Sequence, residues 1–146
     1  MTLLTGRNTT PLTAQQQRSI ADALRGMDPR VQYRFEHQRT RFVVARDEDQ
    51  NEYGEIVIGP DVLPGGNIID PNSALSRDAA IAHELAHYHR WINQMDLPNG
   101  VQTELDEALT SLDAIARYSE YLSDQDIKTL AADAAARVRT FILGGR

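Results

Sequence analysis

Two histidines and a glutamate within five residues, His83-Glu84-Leu85-Ala86-His87, are the residues of this chain whose types and spacing can do chemistry. On a helix, side chains four apart lie one above the other, so both imidazoles reach one divalent ion while Glu84 stands beside it. Neutral imidazoles bind Zn²⁺ without cancelling its charge, an open coordination position admits water, and a carboxylate outside the ligand set takes the proton as that water attacks. Glu84 is the expected general base. With four histidines in 146 residues, composition alone yields the pattern in roughly one chain in a hundred or fewer. The bland alternative is a pair of histidines at the edge of an ordinary amphipathic helix.

A helix must carry the motif. Ile81, Leu85, Tyr88 and Ile92 recur at intervals of three and four, an apolar stripe that leaves His83, Glu84 and His87 on other faces. Ser73 or Ser76 suits its N-cap, Asp78 suits its positive end, and the helix should stop near Asn93, before a turn at Pro98-Asn99-Gly100. Thr103 and Asp106 have the spacing of a capping box for a return helix to about Tyr118, with Leu105, Ala108, Leu109, Leu112 and Ile115 as its apolar stripe. Glu107 lies off that stripe. An antiparallel return lets it complete a two-histidine, one-carboxylate set with water as fourth ligand; Glu104, one turn earlier, is the alternative.

The preceding chain reads as scaffold. A helix from about Leu12 to Arg25 has a capping box at Thr13 and Gln16 and a stop at Gly26, with Ile20, Leu24 and Met27 facing a sheet. Alternation from Val31 to Phe35, then Arg41 to Ala45 and Glu55 to Ile58, predicts a three-stranded antiparallel meander with a solvated tip at Asp47 to Asn51. His37 is expected to be structural or exposed. Ile56-Val57-Ile58 is the candidate edge at which an extended peptide adds as a strand, the alternative being an internal strand that pairs on both sides, and the Pro- and Gly-rich connection from Pro60 to Pro71 could line a cleft. A final helix, capped by Ser123 and Asp126 and carrying Leu130, Ala134 and Val138 at helical spacing, is expected to supply core and no chemistry.

Composition narrows the function classes. A formal charge of −6 disfavours a phosphate backbone as partner, so nucleic acid is not expected. The absence of cysteine removes disulfides and thiolate ligands, leaving His and carboxylate for any metal and suiting a reducing cytoplasm. Met1 to Arg7 is too short and too weakly apolar for a signal peptide, and no apolar run has membrane-spanning length. The expectation is one cytoplasmic α+β domain over residues 1–146, with no membrane partner.

His83-Glu84-x-x-His87, the interval 88–106 and then Glu107 resemble the zinc-ligand pattern of the gluzincin metallopeptidases, including the thermolysin-like spacing. The stretch His83 to His89 with Glu107-Ala108 also resembles the ImmA/IrrE-type peptidases, small intracellular enzymes of which several act on regulatory proteins. The resemblance covers about Ser76 to Tyr118. It implies a minimal zincin-like domain, His83, His87 and Glu107 as Zn²⁺ ligands, Glu84 as base, and a sheet edge that holds substrate. Three departures stand out. A thermolysin-like pattern has Asp four residues beyond the ligand Glu, where this chain has Ser111, so the acid orienting an imidazole is Asp113 or missing. Leu109 follows Glu107-Ala108 where the ImmA/IrrE type tends to have Asn. Residues 108–146 are too few for a second helical lobe, so the cleft is open or covered by a regulatory protein partner.

Tyr88, His89, Tyr118 and Tyr121 are available to polarise a carbonyl, but none is assigned to that task. His89, two residues from His87, should point away from the metal. The expected function is hydrolysis of a peptide bond in a protein or peptide substrate. The alternatives are a zinc hydrolase of a non-peptide amide and a metal-containing interaction module without turnover. Mn²⁺ or Ni²⁺ would fit the same ligands.

Overall fold

The computed structural model describes residues 2–98, 100 and 102–144. Within them the order is α1 (Ala14–Met27), β1 (Gln32–Phe35), β2 (Arg41–Arg46), β3 (Glu52–Ile58), α2 (Arg77–Ile92), α3 (Thr103–Tyr118) and α4 (Asp124–Gly144), with short 3₁₀ turns between. This is the expected α+β layout: N-terminal helix, three strands, the helix that carries His83 and His87, return helix and closing helix. Ile20 and Leu24 of α1, Ile56 and Ile58 of β3, Ile81 and Leu85 of α2, Tyr118 of α3 and Leu130 of α4 share one hydrophobic core. None of the described helices is long and apolar enough to cross a membrane.

The sheet is mixed rather than an antiparallel meander. Its order is β1-β3-β2: β3 pairs with β2 antiparallel and with β1 parallel. The three strand segments fall where alternation predicts them, but the link from β1 to β2 crosses the end of β3. That crossing is stitched by side chains. The Thr40 backbone N–H donates to Asp61 Oδ1 at 2.8 Å, the Thr40 hydroxyl accepts from Gly59 N–H at 3.0 Å, and Glu36 N–H donates to the Ile58 carbonyl. A Cβ at Gly59 would lie 1.5 Å from the Gln38 carbonyl oxygen, so the crossing loop passes where any side chain would stand.

The central position of β3 also overturns the choice of Ile56-Val57-Ile58 as an edge: Ile56 and Val57 are paired with both β1 and β2, Ile58 is paired with Phe35 of β1, and all three are buried. The edge beside α2 is β2. Phe42 of β2 packs on α2, its ring within 10° of parallel to that of His87 at a centroid distance of 6.5 Å. Gly54 opposite makes room for it: a Cβ there would lie 2.7 Å from the Phe42 ring and 2.8 Å from that of Tyr88.

Local signals explain the helix starts. Thr13 and Gln16 form the expected reciprocal capping box, and Ser76 caps α2 by accepting from Ala79 N–H. Helix α1 runs through Gly26 to Met27, so that glycine does not stop it. Ser123 and Asp126 cap α4 as expected, and the Ser76 hydroxyl donates to Asp126 Oδ1 at 2.6 Å, tying the start of α2 to the start of α4. Thr103 is the first residue of α3 and forms no capping box with Asp106. Asp106 instead accepts from the buried Arg90 at 2.7 Å and from Leu97 N–H at 2.9 Å, which clamps the turn between α2 and α3. In the predicted stops after α2 and α4, Asn99 and Gly145 lie outside the described residues.

The inner face of α3 follows the apolar stripe only in part. Ala108 is buried and Ile115 packs against the core, but Leu109 and Leu112 are 37% and 48% exposed, while Thr110, Ser111 and Ala114 are buried. The inner face of this helix carries polar side chains because it faces the histidines. Arg7, also buried, donates to backbone carbonyls of Asp61, Val62, Asn72, Ser73 and Leu75 and so pins the irregular connection into α2.

Candidate metal centre

Helix α2 presents His83 and His87 one turn apart toward α3, with ring centroids 4.8 Å apart. Across from them Glu107 of α3 places one carboxylate oxygen 2.8 Å from His83 Nε2 and the other 3.0 Å from His87 Nε2. Candidate ligand atoms of His83, Glu84 and His87 all lie within 4.8 Å of one another. Glu104 does not join them; it pairs with Arg137 at 3.4 Å. His89 turns the other way and meets the buried Asp28 at 2.9 Å.

The donor set fits a small divalent ion. Tetrahedral zinc at about 2.0–2.1 Å from each ligand needs neighbouring donors about 3.3 Å apart, and the two imidazole–carboxylate separations here are 2.8 and 3.0 Å. The chemistry agrees with the distances. Two imidazole nitrogens and a carboxylate, with no sulfur, suit Zn²⁺ and related first-row ions.

Charge and burial set the proton affinities. Burial pushes the Glu84 carboxyl above its ordinary value, against the pull of His83 and His87. For His87 burial works downward but is outweighed by the hydrogen bond and charge of Glu107, which hold the imidazole above its ordinary value. Burial likewise opposes ionisation of Glu107, yet the two imidazoles keep its carboxyl well below the usual carboxylate range. Glu107 and His87 thus each favour the charged form of the other.

Behind each ring stands a hydroxyl of α3. Ser111 Oγ lies 2.9 Å from His83 Nδ1 and donates to Asp133 Oδ2 of α4 at 2.7 Å. Thr110 Oγ1 lies 3.4 Å from His87 Nδ1 and donates to the Asp106 carbonyl. Asp133 also receives Arg137 Nε at 3.3 Å. Asp113, the candidate orienting acid, pairs instead with Arg117 at 2.7 Å. Helix α4 supplies Leu130 to the core, as expected from sequence, and also a buried carboxylate that reaches Ser111. Asp133 sits among alanines, and nothing local to α4 marks it; the only signal was Ser111 at a position where an acid was looked for.

A cleft of about 340 Å³ opens over the motif, lined on the sheet side by Arg39, Arg41, Phe42 and Val44. Of the connection from Pro60 to Pro71, Asp61 lines a smaller adjoining cavity against His83 and Glu84, and Asn72, just beyond, lines both. Tyr88, His89, Tyr118 and Tyr121 are not among its lining residues. Arg39 is the cation on the strand side whose charge reaches Glu84. His37 is exposed and lies away from this cleft, as expected.

Comparison with family models, curated proteins and solved structures returns no match.

Proposed function

We propose that this protein is a zinc-dependent metallopeptidase. The observation that carries the reading is the Glu107 carboxylate shared between His83 Nε2 and His87 Nε2, with Glu84 beside them in an open cleft. His83, His87 and Glu107 would hold the ion. When bound, Zn²⁺ supplies Lewis acidity toward a carbonyl oxygen and raises the acidity of water. Glu84, whose proton affinity is raised by burial, serves as general base and then returns the proton to the leaving amine. Arg39 faces the same space and is the side chain suited to stabilise negative charge on the carbonyl oxygen.

The substrate is a protein or peptide. Among the described residues strand β2 has one unpaired edge, and its Arg41, Phe42 and Val44 border the cleft, so an extended chain can add there through backbone hydrogen bonds while its carbonyl enters. The same reading carries a cytoplasmic setting, from the absence of cysteine, and leaves the mouth of the cleft to a regulatory partner.

Glu84→Gln tests it. The variant should bind one equivalent of zinc as the wild type does and lose cleavage of a peptide library. Equal cleavage by both proteins would remove the base from Glu84. Stoichiometric zinc with no cleavage of peptides or amides by either would favour the interaction module.

A further inference from the structure

The hydrogen bonds behind His83 have a fixed direction. Ser111 has one hydroxyl proton and gives it to Asp133 Oδ2 at 2.7 Å, so toward His83 Nδ1, 2.9 Å away, it can only accept. His83 must then carry its proton on Nδ1, which leaves Nε2 facing Glu107. Both relay residues are shut off from water: Ser111 is 0% and Asp133 2% exposed. A buried carboxylate needs compensation, and Arg137, one turn along α4, supplies it and continues to Glu104.

The register of α4 explains why the acid arrives there. Ser76 and Asp126 bind the first turns of α2 and α4 to each other. His83 lies seven residues after Ser76 and Asp133 seven after Asp126, so both stand two turns, about 10 Å, from that tie. The capping contact and the relay are two rungs between the same helices, with Ser111 of α3 bridging the second. A chance polar contact would not require agreement in register, direction and burial together.

We propose that Ser111 and Asp133 are positioning residues that hold His83 in its Nδ1–H form and aim Nε2 at the metal. Thr110 does the same more weakly for His87, at 3.4 Å. The inference rests on the metallopeptidase reading, and it makes α4 part of the metal site although α4 supplies none of the three proposed ligands.

The test is zinc affinity, measured by competition with a chromophoric chelator, together with the exchange rate of the His83 Nδ1 proton by NMR in the zinc-loaded protein. Ser111→Ala and Asp133→Asn should weaken zinc about 10- to 100-fold and speed that proton's exchange with solvent. Ser111→Thr, which keeps the hydroxyl, should stay close to wild type in both readouts. Asp113→Asn should change neither. Should Ser111→Ala fail to fold, Asp133→Asn, nearly isosteric, carries the comparison. Wild-type affinity and proton protection in both Ser111→Ala and Asp133→Asn, or an equal loss in Asp113→Asn, would overturn the relay and leave the metal site standing. Failure of the wild type to bind zinc would overturn both.

Discussion

Helix α2 makes two kinds of histidine–carboxylate contact, and the distances do not tell them apart. On one face His83 and His87 meet Glu107 at 2.8 and 3.0 Å; on another His89 meets Asp28 at 2.9 Å. What differs is what else converges. Asp28 spends its other oxygen on the backbone N–H of Arg30, just beyond the end of α1, and its imidazole partner stands between Tyr88 and Tyr118. Glu107 divides its two oxygens between two imidazoles, and both rings have acceptors behind them. The Asp28–His89 contact is a pair, whereas at Glu107 two imidazoles and a carboxylate converge, the donor types that a divalent ion takes.

The largest effect separates the two faces directly. Glu107→Gln or His87→Ala should weaken zinc at least about 1,000-fold, the cost of losing one of three protein ligands, while His89→Ala should leave zinc affinity within about twofold. Isothermal titration of the three variants checks this, and a His89 variant that loses zinc would erase the contrast. Next comes chemistry: Glu84→Gln should lower kcat by about 100- to 10,000-fold with zinc retained. Arg39→Ala should cost about 100-fold in kcat/KM, again at constant zinc content. Steady-state rates on one cleaved peptide rank these two.

The remaining differences are in stability. Asp28→Ala leaves His89 without its partner and should lower unfolding free energy by about 1–3 kcal/mol while sparing metal binding, as chemical denaturation would show. The cleft pair should show itself through pH in the metal-free protein. Glu107 is held below its ordinary 4.5, so its stabilisation is present above pH 4.5 and lost as pH falls through the folded value. His87 is held above its ordinary 6.5, so its share is present below pH 6.5 and lost as pH rises through the folded value. The stability difference between wild type and Glu107→Gln should therefore peak between pH 4.5 and 6.5. A difference that is flat with pH would show that the carboxylate and imidazoles do not interact as drawn.

Much of this was legible in the residues because it is local. Capping boxes at Thr13 and Ser123, the four-residue spacing of His83 and His87, and the strand segments each depend on neighbours a few positions away, and the structure has them. The sheet order was not legible, since it depends on Thr40 and Asp61 meeting across 21 residues and on a missing side chain at Gly59. The face of α3 misled for a physical reason. Apolar periodicity assumes that the inner face is greasy, but here Glu107, Thr110 and Ser111 point inward to serve the histidines, and Leu109 and Leu112 are left outside. Asp133 was hidden by the same assumption, standing where an Ala-rich stripe promised only packing.

Gly54 gives the sheet a say in the width of the cleft. Phe42 and Tyr88 both rest against its bare Cα, and Phe42 lines the cleft, so one added methyl would displace a wall of it. The opening is then adjustable from a backbone position outside its lining, in the way a shim behind a jaw alters the size of what the jaw can hold.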